Sequence, residues 1–225
     1  MTKRFDAVLF DAGGVLVMPD PTVLAPLLVP YGGSADYAVH HRAHYAGMRA
    51  VDRSEEEDWT RYGDAYVATV GVPVEHMDEA LLLFRSTFNV HLWRYPNEGS
   101  AVVLRTLVER EVPIGVVSNA SGQIEGVLAR VGVCQVGEGT GAGVLCVVDS
   151  HVVGISKPDP GIFVSAVEAV GIHPDRIAYV GDSIRYDVRG ATAAGLTPLL
   201  LDPYGDARPD EHERIESLRD LLDLV

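Results

Sequence analysis

An α/β fold, doubly wound about a parallel (Rossmann-like) sheet and interrupted by an inserted all-helical cap domain, is what the order of apolar runs in this chain predicts. Three observations carry that expectation. Short apolar runs at residues 5–10, 113–117 and 177–180 lack the alternation of a half-exposed strand and read as strands covered on both faces. From residue 100 onward such runs alternate with segments of helical periodicity, the pattern of strand–helix–strand crossovers. Between residues 20 and 95 the periodicity is helical and no clear strand occurs.

Taken in order, the first strand, FDAVLF, runs into Asp11 and then into a turn containing Gly13 and Gly14. Glycine lets the backbone turn sharply and come close to a bound group. Asp11 is therefore expected at the carboxyl end of a central strand, where open α/β sheets bind ligands. From this stretch alone a nucleophile, a metal ligand and a carboxylate that only caps the next segment all remain open. The insertion reads as four helices. Val23, Leu24, Leu27 and Leu28 mark a short first one, weakened by Pro26 and Pro30; residues 37–51 form a second. Trp59, Tyr62 and Tyr66 anchor a third, residues 81–88 form a fourth, and Gly32-Gly33 and Gly71-Val72-Pro73 are the breaks. The expected domains are a core of residues 1–18 with 96–225, and a helical cap of residues 19–95.

The second half predicts helices at 100–110, 121–131, 158–170, 185–194 and 215–224, and strands at 113–117, 145–148, 177–180 and 198–201. Pro158 near the start of its helix and Gly171 just past the end follow the usual asymmetry of helix termini. The glycine-rich piece at 137–143, GEGTGAG, lacks the lysine and hydroxyl that end a phosphate loop and does not fit the dinucleotide fingerprint. It reads as a flexible connection.

Composition narrows the class. With 47% hydrophobic and 22% charged residues the chain is that of an ordinary globular protein, and no apolar run is long enough to span a bilayer. The formal net charge of −14 argues against a nucleic-acid surface. Cys134 and Cys146 are too few for a disulfide framework and lack metal-site spacing, and MTKR leads into the first strand without a signal-peptide pattern. A cytoplasmic location, no membrane or nucleic-acid partner, and a monomer or homodimer are the expectations. Only two lysines occur, Lys3 in the N-terminal tail and Lys157 in SKPDP.

Four strand or loop ends carry polar residues: Asp11, Ser118 with Asn119, Lys157, and Asp182 with Asp187. In a parallel sheet these ends face one crevice. In order and spacing they resemble the haloacid dehalogenase (HAD) superfamily, most of whose members are phosphatases. FDAGGVL is similar to its first motif, VVSNAS to its second, SKPDPGIF to its third and VGDSIRYDVRGATAAG to its fourth. The resemblance runs from Phe5 to about Gly195, and the insertion stands where the family carries a cap after the first strand.

What the resemblance implies is a Mg²⁺-dependent phosphatase acting on a small-molecule phosphate ester, such as a sugar phosphate, through an aspartyl-phosphate on Asp11. The metal would be held by Asp11, the backbone carbonyl of Gly13 and Asp182, with Asp187 helping through water or by orienting the ligands. Lys157 would set positive charge beside the phosphate. Ser118, the Asn119 amide and the Gly14 turn would bind the phosphate oxygens. One position departs from the pattern: Gly13 stands where family phosphatases usually carry a second aspartate, the general acid and base. Such groups are worth roughly 10² to 10⁴ in rate. A 2-haloacid dehalogenase, whose halide leaves without a proton, and a binding protein that has lost turnover are the alternatives.

The insertion is harder to read for function. His40, His41 and His44 are read as surface histidines, since no further metal ligands accompany them. Trp59, Tyr62 and Tyr66 are read as packing within the cap rather than as a sugar-stacking platform. Arg42, Arg49 and Arg53 are read as solvated, with binding of an anionic substrate group as the other use.

Overall fold

The chain, described over residues 3–55, 57–207 and 212–225 in a computed structural model, divides by its contacts into two compact units. One comprises Met1–Val17 and Pro96–Val225, the other Met18–Tyr95. After β1 (Ala7–Phe10) come β2 (Val17–Pro19), the helices α1 (Pro21–Leu28), α2 (Tyr37–Asp52), α3 (Thr60–Thr69) and α4 (Met77–Thr87), and β3 (Trp93–Pro96). The rest follows as α5 (Ser100–Glu109), β4 (Ile114–Ser118), α6 (Ile124–Arg130), β5 (Cys134–Val136), β6 (Ala142–Val144), β7 (Val147–Asp149) and α7 (Ser150–Val153). It ends with α8 (Val164–Val170), β8 (Ile177–Gly181), α9 (Arg189–Ala193), β9 (Thr197–Leu201) and β10 (Arg214–Ile215).

Strands with no polar face need cover on both sides, and β1, β4 and β8 are buried at every position. They lie at the centre of a parallel six-stranded sheet of order β10-β9-β8-β1-β4-β7. After β1 the chain adds β4 and β7 on one side, then returns to add β8, β9 and β10 on the other. That reversal beside β1 is the switch point at which such sheets open a crevice beyond the strand ends. On one face Ile162, Phe163, Ala166 and Val170 pack against Leu9, Val117 and Tyr179.

In the helical unit α2 packs on α3 and α3 on α4. Tyr62, Tyr66 and Phe84 are buried between them, with Tyr66 and Phe84 ring centres 5.1 Å apart. Gly47 permits this packing, because a Cβ there would lie 2.6 Å from the Tyr62 ring. Asp20 and Asp36 cap α1 and α2 by accepting from the amides of Thr22 and Ala38, both at 2.9 Å. Among the described residues no helix is long and apolar enough to cross a membrane.

Several elements differ from their sequence expectation, each for a tertiary reason. The stretch at 137–143 is not a free connection, because β6 pairs in parallel with β5 and the Gln135 side chain holds both the amide and the carbonyl of Gly141. The helix expected from residue 121 starts at Ile124, because Asp149 takes the Gly122 and Ile124 amides. Residues 158–170 split into a 3-10 turn, Pro160–Phe163, and α8, and the segment before α9 is a π-turn, Ile184–Val188. The final expected helix is the strand β10, which joins the sheet beside β9, followed by a 3-10 turn at Leu218–Asp223. At the edge of the insertion Trp93–Pro96 is a strand paired with β2.

Two of the three histidines expected at the surface of the insertion are not there. His40 and His44 are buried, with their ring nitrogens bonded to the Tyr66 and Tyr62 hydroxyls at 2.8 and 3.0 Å. Helical periodicity could not reveal that the tyrosines of α3 would supply partners. Trp59 is 42% exposed, so it is not a core residue like Tyr62 and Tyr66. Arg49 is not solvated but lies buried 2.9 Å from Asp52.

Candidate active site

β1 delivers Asp11 to the switch point, where the Asp11 amide donates to the Val180 carbonyl of β8 at 2.8 Å. The side chain is nearly buried, and its Oδ1 accepts from the Ala12 amide at 2.7 Å and from Lys157 Nζ at 2.9 Å. Lys157 is buried as well. Its ammonium also meets Asp187 Oδ1 at 2.7 Å and the Tyr179 hydroxyl at 2.9 Å, so three acceptors surround its three donors. The backbone of Lys157 is pinned separately. Asn119 Oδ1 accepts from the Lys157 amide at 2.8 Å and Asn119 Nδ2 donates to the Lys157 carbonyl at 3.0 Å.

Asp182 follows β8, and the chain then folds through the π-turn that brings Asp187 back over the strand end. π-turns are often found at functional sites. Asp187 Oδ2 accepts from the amides of Asp182 and Ser183 at 3.1 and 2.9 Å. Gly181 is required beneath it, since a Cβ at that position would stand 2.2 Å from Asp187 Cβ. Both Asp187 oxygens are therefore engaged by protein donors.

One oxygen of each of Asp11, Asp182 and Asp187 lies within 4.8 Å of the other two, and all three residues are buried. The Lys157 ammonium lies against two of these carboxyl groups, Asp11 and Asp187, and burial makes such a concentration of acid costly. Burial, the largest cause, and the neighbouring acids push the Asp11 carboxyl up to about 7 against the pull of Lys157. Lys157 is raised in turn: burial, its largest influence, lowers it, but the charges of Asp11 and Asp187 outweigh that. A hard divalent cation suits this set, because three carboxylate oxygens converge and its charge would offset their mutual repulsion.

Ser118 ends β4 and is buried beside Asp149 in register on β7. Gly13 bridges to Val17, and the Gly14 amide donates to the Val17 carbonyl at 2.8 Å, inside the turn itself. Thus Asp11, Lys157, Asp182 and Asp187 converge directly, and Asn119 enters through its side chain where only its amide was expected. Sequence reasoning missed two residues. Tyr179 was indistinguishable from its apolar neighbours in IAYVG, although a tyrosine in a fully buried strand needs a partner for its hydroxyl. Asp149 ends the apolar run VVD as Asp11 and Asp182 end theirs, so extending that strand by one residue would have found it. Its Oδ2 accepts from the Gly122 amide at 2.8 Å, and so shapes the loop after Ser118.

The family model described as haloacid dehalogenase-like hydrolase matches residues 5–195. Over 86 residues the chain is 36% identical to glyceraldehyde 3-phosphate phosphatase of Methanopyrus kandleri, covering 35% of this chain and 37% of that protein. The chain spans about half or less of the length of the curated relatives it matches. Among solved structures, the HAD phosphatase from Thermococcus onnurineus superposes with a TM-score of 0.60 at 20% identity, covering 97% of both chains. A 2-haloacid dehalogenase from Pseudomonas syringae pv. Tomato superposes with a TM-score of 0.53 at 18% identity, covering 100% of this chain and 98% of that one. At such identities the two structures speak for the fold alone.

Proposed function

This chain belongs to the haloacid dehalogenase-like hydrolases, and on that premise we propose that it is a Mg²⁺-dependent phosphatase of small-molecule phosphate esters. The observation that carries the reading is the buried Asp11, 2.9 Å from Lys157, inside a cluster of three carboxyl groups. A dehalogenase has no use for such a cluster of acids, whereas a phosphatase needs a cation seat. The phosphatase names of partial relatives support the same choice.

Asp11 and Asp182 would hold the ion, with the Gly13 carbonyl as the third protein ligand that the family resemblance implies. Asp187 acts behind them, because its oxygens already bind Lys157 and two amides. When bound, Mg²⁺ would neutralise the phosphoryl oxygens so that a carboxylate can approach phosphorus. An Asp11 carboxylate oxygen attacks phosphorus, the bond to the leaving oxygen breaks, and that oxygen departs with the electron pair. Water then attacks the aspartyl-phosphate, gives up a proton, and releases inorganic phosphate with Asp11 restored. Lys157 and Ser118 stabilise the charge on the phosphoryl oxygens in both steps.

With glycine at position 13, leaving groups that need no proton suit the site best, namely acyl phosphates and acetal-type sugar phosphates. We assign the choice among substrates to the helical unit, as a cap of the family's kind. A cytoplasmic setting fits this work. A panel of acyl, sugar and nucleotide phosphates, assayed with and without Mg²⁺ and with Asp11→Asn as blank, tests the reading. Metal-dependent phosphate release confined to the wild type supports it. A flat response across the panel, or metal-free halide release from 2-chloropropionate, would remove it.

A further inference from the structure

Tyr179 has no part in the chemistry above, yet its hydroxyl meets three elements of the site at once. It accepts from Lys157 Nζ at 2.9 Å, stands 3.2 Å from Asp187 Oδ1, and donates to the Val117 carbonyl at 2.9 Å. That carbonyl belongs to β4, with β1 lying between it and the tyrosine's own strand. The phenol proton has two acceptors within reach, that carbonyl and Asp187 Oδ1, and a lone pair is left facing the ammonium. Burial and the surrounding acids hold the phenol well above its usual range, so it stays neutral. The ring is fixed as well, packed edge-on against Phe163 with centroids 4.9 Å apart and both residues fully buried.

We propose that Tyr179 is a positioning residue for Lys157: with Asp187 it forms a two-point cradle that keeps one ammonium N–H aimed at Asp11. This rests on the phosphatase reading for its consequence, though not for its geometry. Two donors stay committed to Tyr179 and Asp187. The third, which faces Asp11 Oδ1, is the one that trades the carboxylate for a phosphoryl oxygen as the nucleophile engages. Without the hydroxyl the ammonium pivots on Asp187, and charge placement is lost where it matters most, in the transition state.

Tyr179→Phe keeps the ring and removes only this contact, and Phe163→Leu serves as the control that loosens the ring while sparing the hydroxyl. With lysines only at positions 3 and 157, the Nζ protons of ¹⁵N-lysine-labelled protein give a signal for Lys157 separable from that of the exposed tail residue. Tyr179→Phe is expected to speed exchange of those protons about tenfold and to lower kcat on p-nitrophenyl phosphate about tenfold, with KM within about twofold. Phe163→Leu is expected to lower Tm more than Tyr179→Phe does, with exchange and kcat both near wild type. Unchanged exchange in Tyr179→Phe, faster exchange without loss of kcat, or the same two changes in Phe163→Leu would overturn the proposal. Absence of any phosphate release by the wild type would instead remove the phosphatase reading, and the exchange arm would then decide the cradle by itself.

Discussion

Both units of this protein bury ionisable side chains, but they dispose of them in opposite ways. In the helical unit buried histidines and an arginine are matched with neighbours of the same unit. His40 binds the Tyr66 hydroxyl and the Ser34 carbonyl, both at 2.8 Å, His44 binds Tyr62, and Arg49 sits against Asp52. Burial pushes His44 down to about 3, so the imidazole stays neutral. In the α/β unit, Lys157 pairs with both Asp11 and Asp187, Asp182 stands close by, and burial with the neighbouring acids drives Asp11 up. Buried polarity thus forms pairwise contacts in one unit and gathers like charges in the other.

The strongest way to break that comparison is to remove one of those like charges. Asp11→Asn is expected to lower phosphate release by roughly 10⁴-fold or more, since no other group can take the role of nucleophile. The same variant should melt no lower than the wild type in EDTA, because the cluster of three buried carboxyl groups loses one. A lower Tm would show that the pairing of Asp11 with Lys157 outweighs that crowding. Mg²⁺ should raise the Tm of the wild type in proportion to its binding, and Asp182→Asn should abolish both that rise and the activity. An unchanged Mg²⁺ response would move the cation seat elsewhere.

Close approach sharpens the contrast further. Gly181→Ala forces a Cβ into Asp187 and should cost about 2–3 kcal/mol in denaturant unfolding, together with nearly all activity. Gly47→Ala makes a similar intrusion on the Tyr62 ring. It should cost about 1–3 kcal/mol while leaving the Mg²⁺-induced rise in Tm in place.

A pH dependence arises in the helical unit as well, opposite in sign to the one the raised Asp11 carboxyl gives the α/β unit. Unfolded histidine takes its proton near its ordinary value, whereas His44 resists it until about 3. The unfolded state thus binds the extra proton across that window, and stability falls as pH falls through it. Between pH 7 and 5 His44 should remove ~2 kcal/mol, read as the difference between the urea-midpoint shifts of the wild type and of His44→Gln.

How much of this was legible beforehand follows from what a sequence pattern can encode. The runs that became β1, β4 and β8 were readable because a strand covered on both faces has no polar position. The motif ends at Asp11, Ser118 and Asp182 were readable because they end such runs, and Lys157 because it is one of two lysines in the sequence. The parallel pairing of β5 with β6 was not, because it depends on Gln135 closing a loop onto Gly141. Nor was β10, two residues long and ordered by its neighbour β9.

The chain order of apolar runs and polar ends, by itself, determined the α/β architecture, the insertion and the identity of four converging side chains. Side-chain period and turn chemistry are local and survive in one dimension. Only the tertiary structure decided that Asn119 grips the Lys157 backbone, that Tyr179 and Asp187 share its ammonium, and that Gly181 makes room for Asp187. Those contacts join residues brought together by sheet order and by a π-turn, and distances of about 3 Å across separate elements leave no trace in spacing along the chain.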